Sequence, residues 1–159
     1  MAGPAIVHDS LIGGNEPRYA YAAFYRAAPV DRIKVIKAGV SARQLKLFIS
    51  DLHFEQKTFF QALRLKTATV NKKAAAGPAL TADESERVLG LAKLVGQLEV
   101  MLEESGDAAG FDANLWLSRW LHEPLPALGN RKPMDLLDTM EGQALVSQAL
   151  AQIQSGAYA

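Results

Sequence analysis

Lysine, threonine and asparagine alternate with small apolar residues in KTATVNKK, Lys66 to Lys73. That mixture suits contact with a nucleic-acid duplex: lysines neutralise backbone phosphates, while threonine and asparagine offer hydrogen bonds to base edges. On a helix, Thr67, Thr69 and Asn71 would reach bases and Lys66, Lys72 and Lys73 would meet phosphates. Ala68 and Val70 would face inward or touch a thymine methyl. No arginine lies inside the stretch to pair with guanine, so contact there leans on phosphates. The same residues also describe an ordinary amphipathic helix with a solvated basic face, and both readings stand at this level.

A second set of residues lies in the last seven, IQSGAYA. Tyr158 is a rigid aromatic of the kind that anchors interfaces, and the Ala159 carboxylate suits capture by a basic pocket. The alternatives are a frayed end with one exposed tyrosine or a plug aimed by the helix before it.

Other chemistries find no support. His8, His53 and His122 are scattered, and none has a second metal ligand at helical spacing. Ser10, Ser41, Ser85, Ser118 and Ser147 lack a G-x-S-x-G context. There is no P-loop and no G-x-G-x-x-G, and Glu103-Glu104 reads as solvated charge. No catalytic residue, metal or cofactor is therefore assigned, and the chain is not read as an enzyme. It contains no cysteine, which removes disulfides and thiolate chemistry and fits an intracellular, cytoplasmic address. The start, MAGPAIVHDSLIGG, does not read as a signal peptide, and no run approaches the roughly 18 apolar residues of a membrane helix.

With 49% apolar and 21% charged residues, the 159-residue chain has the composition of a folded globular protein of one domain or two small ones. Its zero net charge hides an asymmetry. Residues 1–77 hold 12 Lys and Arg against 5 Asp and Glu, a net +7; residues 78–159 hold 5 against 12, a net −7. Either the halves meet different partners or solvated faces happen to segregate.

The elements that must position these residues all read as helices. Residues 1–16 form an arm, and Arg18–Ala28 is helical with Tyr21, Phe24 and Tyr25 on one side. Pro29 opens a helix carrying Val30, Ile33, Val35 and Ile36, which Gly39 ends. Ser41 caps the next, with Leu45, Phe48, Ile49 and Leu52. Phe54, Phe59, Phe60 and Leu63 follow helical spacing, and Arg64-Leu65-Lys66 makes a turn. Thr67 caps a short helix over Ala68–Ala75 that Gly77-Pro78 stops. Two short helices around a tight turn are the plan of a helix-turn-helix. TADE, Thr81–Glu84, is a capping box. The long helix it starts carries Val88, Leu91, Val95, Leu98 and Leu102, widened by Leu89, Leu94 and Met101; that helix is either central or shared with a second subunit. After ESGDAAG, a short helix capped by Asp112 brings Leu115, Trp116, Trp120 and Leu121. Pro133 opens another with Met134, Leu136 and Leu137. Asp138 and Glu141 form a capping-box variant for a last helix with Leu145, Val146, Ala149, Leu150 and Ile153 on one face, stopped by Gly156. The division is 1–28 (arm and first helix), 29–78 (helix-turn-helix), 79–106 (long connecting or dimerisation helix) and 107–159 (C-terminal domain).

From Phe111 onward the chain resembles the C-terminal domain of Xre/MbcA/ParS-type antitoxins, the partners of RES-domain toxins. The resemblance rests on Trp116-Leu117, EPLPALGNRKPMDLLDTMEG (Glu123–Gly142) and ALVSQALAQIQSGAY (Ala144–Tyr158). Leu63–Leu94 resembles the same family's helix-turn-helix and the helix after it, although the family usually has arginines where Thr69, Asn71 and Lys72 stand. The resemblance implies an all-α fold with an N-terminal Xre/Cro-like helix-turn-helix, a long central helix and a small toxin-binding domain. It further implies a homodimer within a larger assembly, which binds its own promoter DNA and occludes the active site of an NAD-consuming RES-domain toxin. On that reading Asp135, Asp138, Glu141 and the terminal carboxylate complement the basic cleft, and Leu150, Ile153, Gly156, Tyr158 and Ala159 supply the contact. The alternatives are a toxin-binding module without direct DNA contact and a stand-alone helix-turn-helix regulator.

Overall fold

The computed structural model describes residues 17–106 and 110–155, with side chains from residue 21 to residue 153. Among these the chain is all-α: α1 (Pro17–Arg26), α2 (Pro29–Ala38), α3 (Ala42–Asp51), α4 (Gln56–Ala62), α5 (Thr67–Ala76), α6 (Ala82–Ser105), α7 (Ala113–Leu121), two 3₁₀ turns (Pro126–Leu128 and Pro133–Leu136) and α8 (Met140–Ser155). The expected arm, residues 1–16, lies outside the described residues.

The 24-residue α6 is the axis of the molecule. Its start is the predicted capping box, with Thr81 Oγ1 accepting from the Glu84 N–H and Glu84 Oε1 accepting from the Thr81 N–H. Helices α1, α2, α7 and α8 pack against it. Val88, Leu91, Val95 and Leu98 are buried by these neighbours, so α6 is central, and no second subunit is needed to cover that stripe. The α1 crossing is close because Gly96 has no side chain; a Cβ there would overlap the Tyr21 carbonyl. Tyr21 itself donates to Asp51 Oδ2 at 2.8 Å. Burial and then that carboxylate push its phenol well above the ordinary tyrosine range.

Several elements depart from the periodicity reading. On α2, only Val35 is buried; Ile36 is partly buried against the core, and Val30 and Ile33 are exposed. Phe54 precedes α4 rather than joining it. Thr67 is the first helical residue of α5, not its cap; Lys66 holds the cap position without a side-chain bond. Leu115 and Trp116 are only half-buried, with Trp116 stacked on Trp120 at 5.8 Å. At α8, Asp138 is not the cap. Thr139 Oγ1 accepts from the Gly142 N–H at 3.0 Å, one residue later in register than the D-x-x-E pattern implied. Leu145 is exposed, while Val146, Ala149 and Leu150 face the core.

Candidate functional site

Helices α4 and α5 form the predicted helix-turn-helix, and the turn between them is built without glycine. Arg64 adopts φ 52°, the left-handed region. The Leu65 N–H then reaches the Phe60 carbonyl at 2.8 Å and the Arg64 N–H reaches Gln61 at 3.2 Å. These two bonds close a Schellman motif, and the C-terminal carbonyls of α4 gain partners. Leu65 and Phe60 are both buried, which supplies the apolar contact that accompanies the motif. From α6, Arg87 Nε donates to the Leu63 carbonyl at 2.7 Å and Nη2 to the Arg64 carbonyl at 3.3 Å. The turn is thereby held from both sides.

Val70 anchors α5 in the core, and Thr67, Ala68, Asn71, Lys72, Ala75 and Ala76 form its exposed face. The predicted contact residues divide accordingly. Lys66, Thr67, Asn71 and Lys72 are exposed, whereas Thr69 and Lys73 are half-buried. Ala68, expected to face inward or meet a base, is on the outer face. Lys73 Nζ lies 3.2 Å from Glu84 Oε1. Burial alone would raise Glu84, but the Thr81 backbone N–H, Lys73 and the Thr81 hydroxyl outweigh it and hold its carboxyl below the usual range. Lys73 is thus tied to the capping box of α6 and is not a free phosphate ligand in this conformation. Lys46, on α3, escaped the sequence reading. Its Nζ donates to Asn71 Oδ1 at 2.9 Å. Its only sequence signal was its basic character, 25 residues away from its partner.

In the C-terminal part, Asp135 and Glu141 are exposed. Asp138 is partly covered and faces the helix-turn-helix: Arg64 Nε is 3.1 Å from its Oδ2, and Arg64 Nη2 donates to its carbonyl at 3.0 Å. Leu150 is wholly buried and Ile153 half-buried. Leu150 therefore belongs to the core against α6, since its position on the helix is the one that faces inward. Gly156, Tyr158 and Ala159 lie outside the described residues. The face of α8 that points outward carries Met140, Ala144, Leu145, Gln148 and Ala151. Met140 is 66% and Leu145 47% exposed. Neither was a sequence candidate, although residues 142–159 contain no Asp, Glu, Lys or Arg, which could have marked this face. The inner face is bound polar to polar as well. Gln97 Nε2 donates to the Ser147 carbonyl at 3.0 Å, and Ser147 Oγ donates to Gln97 Oε1 at 2.7 Å. Gln143 Nε2 donates to the Leu137 carbonyl at 3.0 Å and lies over Gly90, where any side chain would collide with it.

No His, Asp or Glu cluster among the described residues has the makings of a metal site. No helix among them is long and apolar enough to cross a membrane. Residues 31–93 match the antitoxin Xre-like helix-turn-helix domain, and residues 108–156 match the antitoxin Xre/MbcA/ParS C-terminal toxin-binding domain. The chain is 68% identical over 147 residues to the Prs ADP-ribosylating antitoxin of Sphingobium sp. (strain YBL2), covering 92% of each protein. It is 32% identical over 77 residues to the antitoxin Xre of Pseudomonas putida (strain KT2440), covering 48% of this chain and 43% of that one. An all-α chain with a helix-turn-helix ahead of a toxin-binding domain, and with these relatives, is a member of the Xre/MbcA/ParS antitoxin family and not an enzyme.

Proposed function

We propose that this antitoxin neutralises an NAD-consuming RES-domain toxin by setting its C-terminal domain across the mouth of the toxin's active site. In the same reading it acts in the cytoplasm as a homodimer and represses its own promoter through α4 and α5. The observation that carries the proposal is the outer face of α8. Met140, Ala144, Leu145, Gln148 and Ala151 offer an uncharged, partly apolar contact surface directly before the tail. Exposed apolar surface rimmed by polar residues is the mark of a docking face. Asp135 and Glu141 at its edge complement the basic groups that an NAD diphosphate requires. The name of the Sphingobium relative points to ADP-ribosylation, a transfer that draws on NAD.

Removing Gly156–Ala159 should leave the helical fold intact and weaken neutralisation. NAD measured in cells co-expressing toxin and truncated antitoxin reads this directly. An NAD level equal to that with the full chain removes the plug. Leu145→Glu separates the helix face from the tail, because it places a charge on α8 without touching the core.

A second reading, a toxin-binding module without direct DNA contact, is favoured by the engagement of Lys73 with Glu84 and by the lack of arginine within α5. A promoter shift assay with and without toxin distinguishes it.

A further inference from the structure

Asn71 and Lys46 meet at the outer face of the helix-turn-helix, and their pairing changes what Asn71 offers a base. An ammonium carries donors only, so the amide atom 2.9 Å from Lys46 Nζ must be Oδ1. The two N–H groups of Nδ2 then point away from Lys46. A free asparagine on a recognition helix reads adenine, accepting from N6 and donating to N7. Oδ1 keeps a second lone pair, but an adenine N6 amino group brought to it would lie beside the ammonium, donor next to donor. Guanine presents N7 and O6, two acceptors, at the same edge. Asn71 Nδ2 can donate to one, and Lys46 retains two N–H groups to donate to the other.

We propose that Lys46 and Asn71 form a composite, donor-only reading head that specifies guanine. A lysine from α3 thereby takes the place of the arginine that α5 lacks. This rests on the proposed contact between the helix-turn-helix and DNA. Lys46 acts both as a positioning residue for Asn71 and as a direct donor. The geometry supports this because α3 packs on α5 and delivers the lysine to its exposed face.

The test uses the full chain and its Lys46→Met, Lys46→Arg and Asn71→Ala variants, each equilibrated with a randomised duplex library from which bound sequences are read. The wild type should select G at one position per half-site, and Asn71→Ala should lose preference there. Lys46→Met should turn that position from G to A, a swing of about tenfold in relative affinity. Lys46→Arg should keep G. Adenine selected by the wild type overturns the proposal, as does a position insensitive to Asn71→Ala. So does an unmoved G with uniformly weaker binding in Lys46→Met, the signature of a phosphate contact alone. Each of these outcomes leaves DNA binding itself standing. A wild type that retains duplex but enriches no sequence overturns the reading head alone, whereas one that retains no duplex overturns the DNA contact as well.

Discussion

Lys72 and Lys73 are adjacent in sequence and differ in every physical respect that matters. Lys72 is exposed on the outer face of α5, whereas Lys73 is paired with Glu84. Lys72→Ala should weaken promoter binding uniformly across sequences and lower the salt slope by about one. Lys73→Ala should leave that slope unchanged and cost about 1 kcal/mol of stability instead. Binding isotherms at several salt concentrations, beside thermal melts, separate the two effects. The Glu84 carboxyl also sets a pH dependence. Its folded pKa is held down, so its contribution is present above the ordinary glutamate pKa and disappears as pH falls through the depressed folded value. Glu84→Gln keeps a side chain able to complete the capping box but removes the charge. Melting curves from neutral pH down to about pH 3 should therefore show a shallower acid dependence for that variant than for the wild type.

At the scale of elements, two helices end on left-handed residues that are not glycine. His53 (φ 59°) follows α3 and Arg64 (φ 52°) follows α4. The bonds at α3 repeat the pattern at α4: Phe54 N–H to Ile49 at 3.2 Å and His53 N–H to Ser50 at 3.0 Å. A side chain with a Cβ is disfavoured there by about 1 kcal/mol. His53 is exposed and its ring is not part of any described bond, so His53→Gly should stabilise the protein by about that amount in denaturant melts. Arg64→Gly should gain less, because it also releases Asp138. The pair is largely exposed on the arginine side, so its own contribution is small. Its value lies in register: it sets the turn of the helix-turn-helix against the residues that lead into α8.

For the whole molecule, the two family domains do not have separate cores. Helix α6 serves both, since the helix-turn-helix match ends at residue 93 within it and α8 packs on it from the other domain. A run of ring contacts crosses the same boundary: Tyr21–Phe48, Phe48–Phe59, Phe59–Phe54 and Phe54–His122, each between 5.3 and 6.0 Å. The Gln97–Ser147 exchange and the Arg64–Asp138 pair tie it further. Unfolding should accordingly be one transition. Tryptophan fluorescence, which reports Trp116 and Trp120 in the C-terminal part, should coincide with far-ultraviolet dichroism, which reports all helices. Two separated midpoints would show instead that the domains fold independently.

Much of this was determined by the sequence alone. Local chemistry acts over a few residues, so the caps at Ser41 and Asp112, the capping box at Thr81, the stops at Gly39 and Gly77 and the helix-turn-helix pair were legible. The C-terminal motif was legible because its prolines, glycines and apolar positions stand in a fixed order. Other features required the tertiary structure. Periodicity marks an apolar stripe but not how much of it is covered, so Val30, Ile33 and Leu145 were assigned to faces that prove exposed. Charge marks a basic residue but not its partner. The separation of Lys72 from Lys73, the capture of Asp138 by Arg64 and the delivery of Lys46 to Asn71 depend on contacts between residues 11 to 74 positions apart. Those distances are closed only by packing around α6, and packing energy belongs to no single stretch of chain.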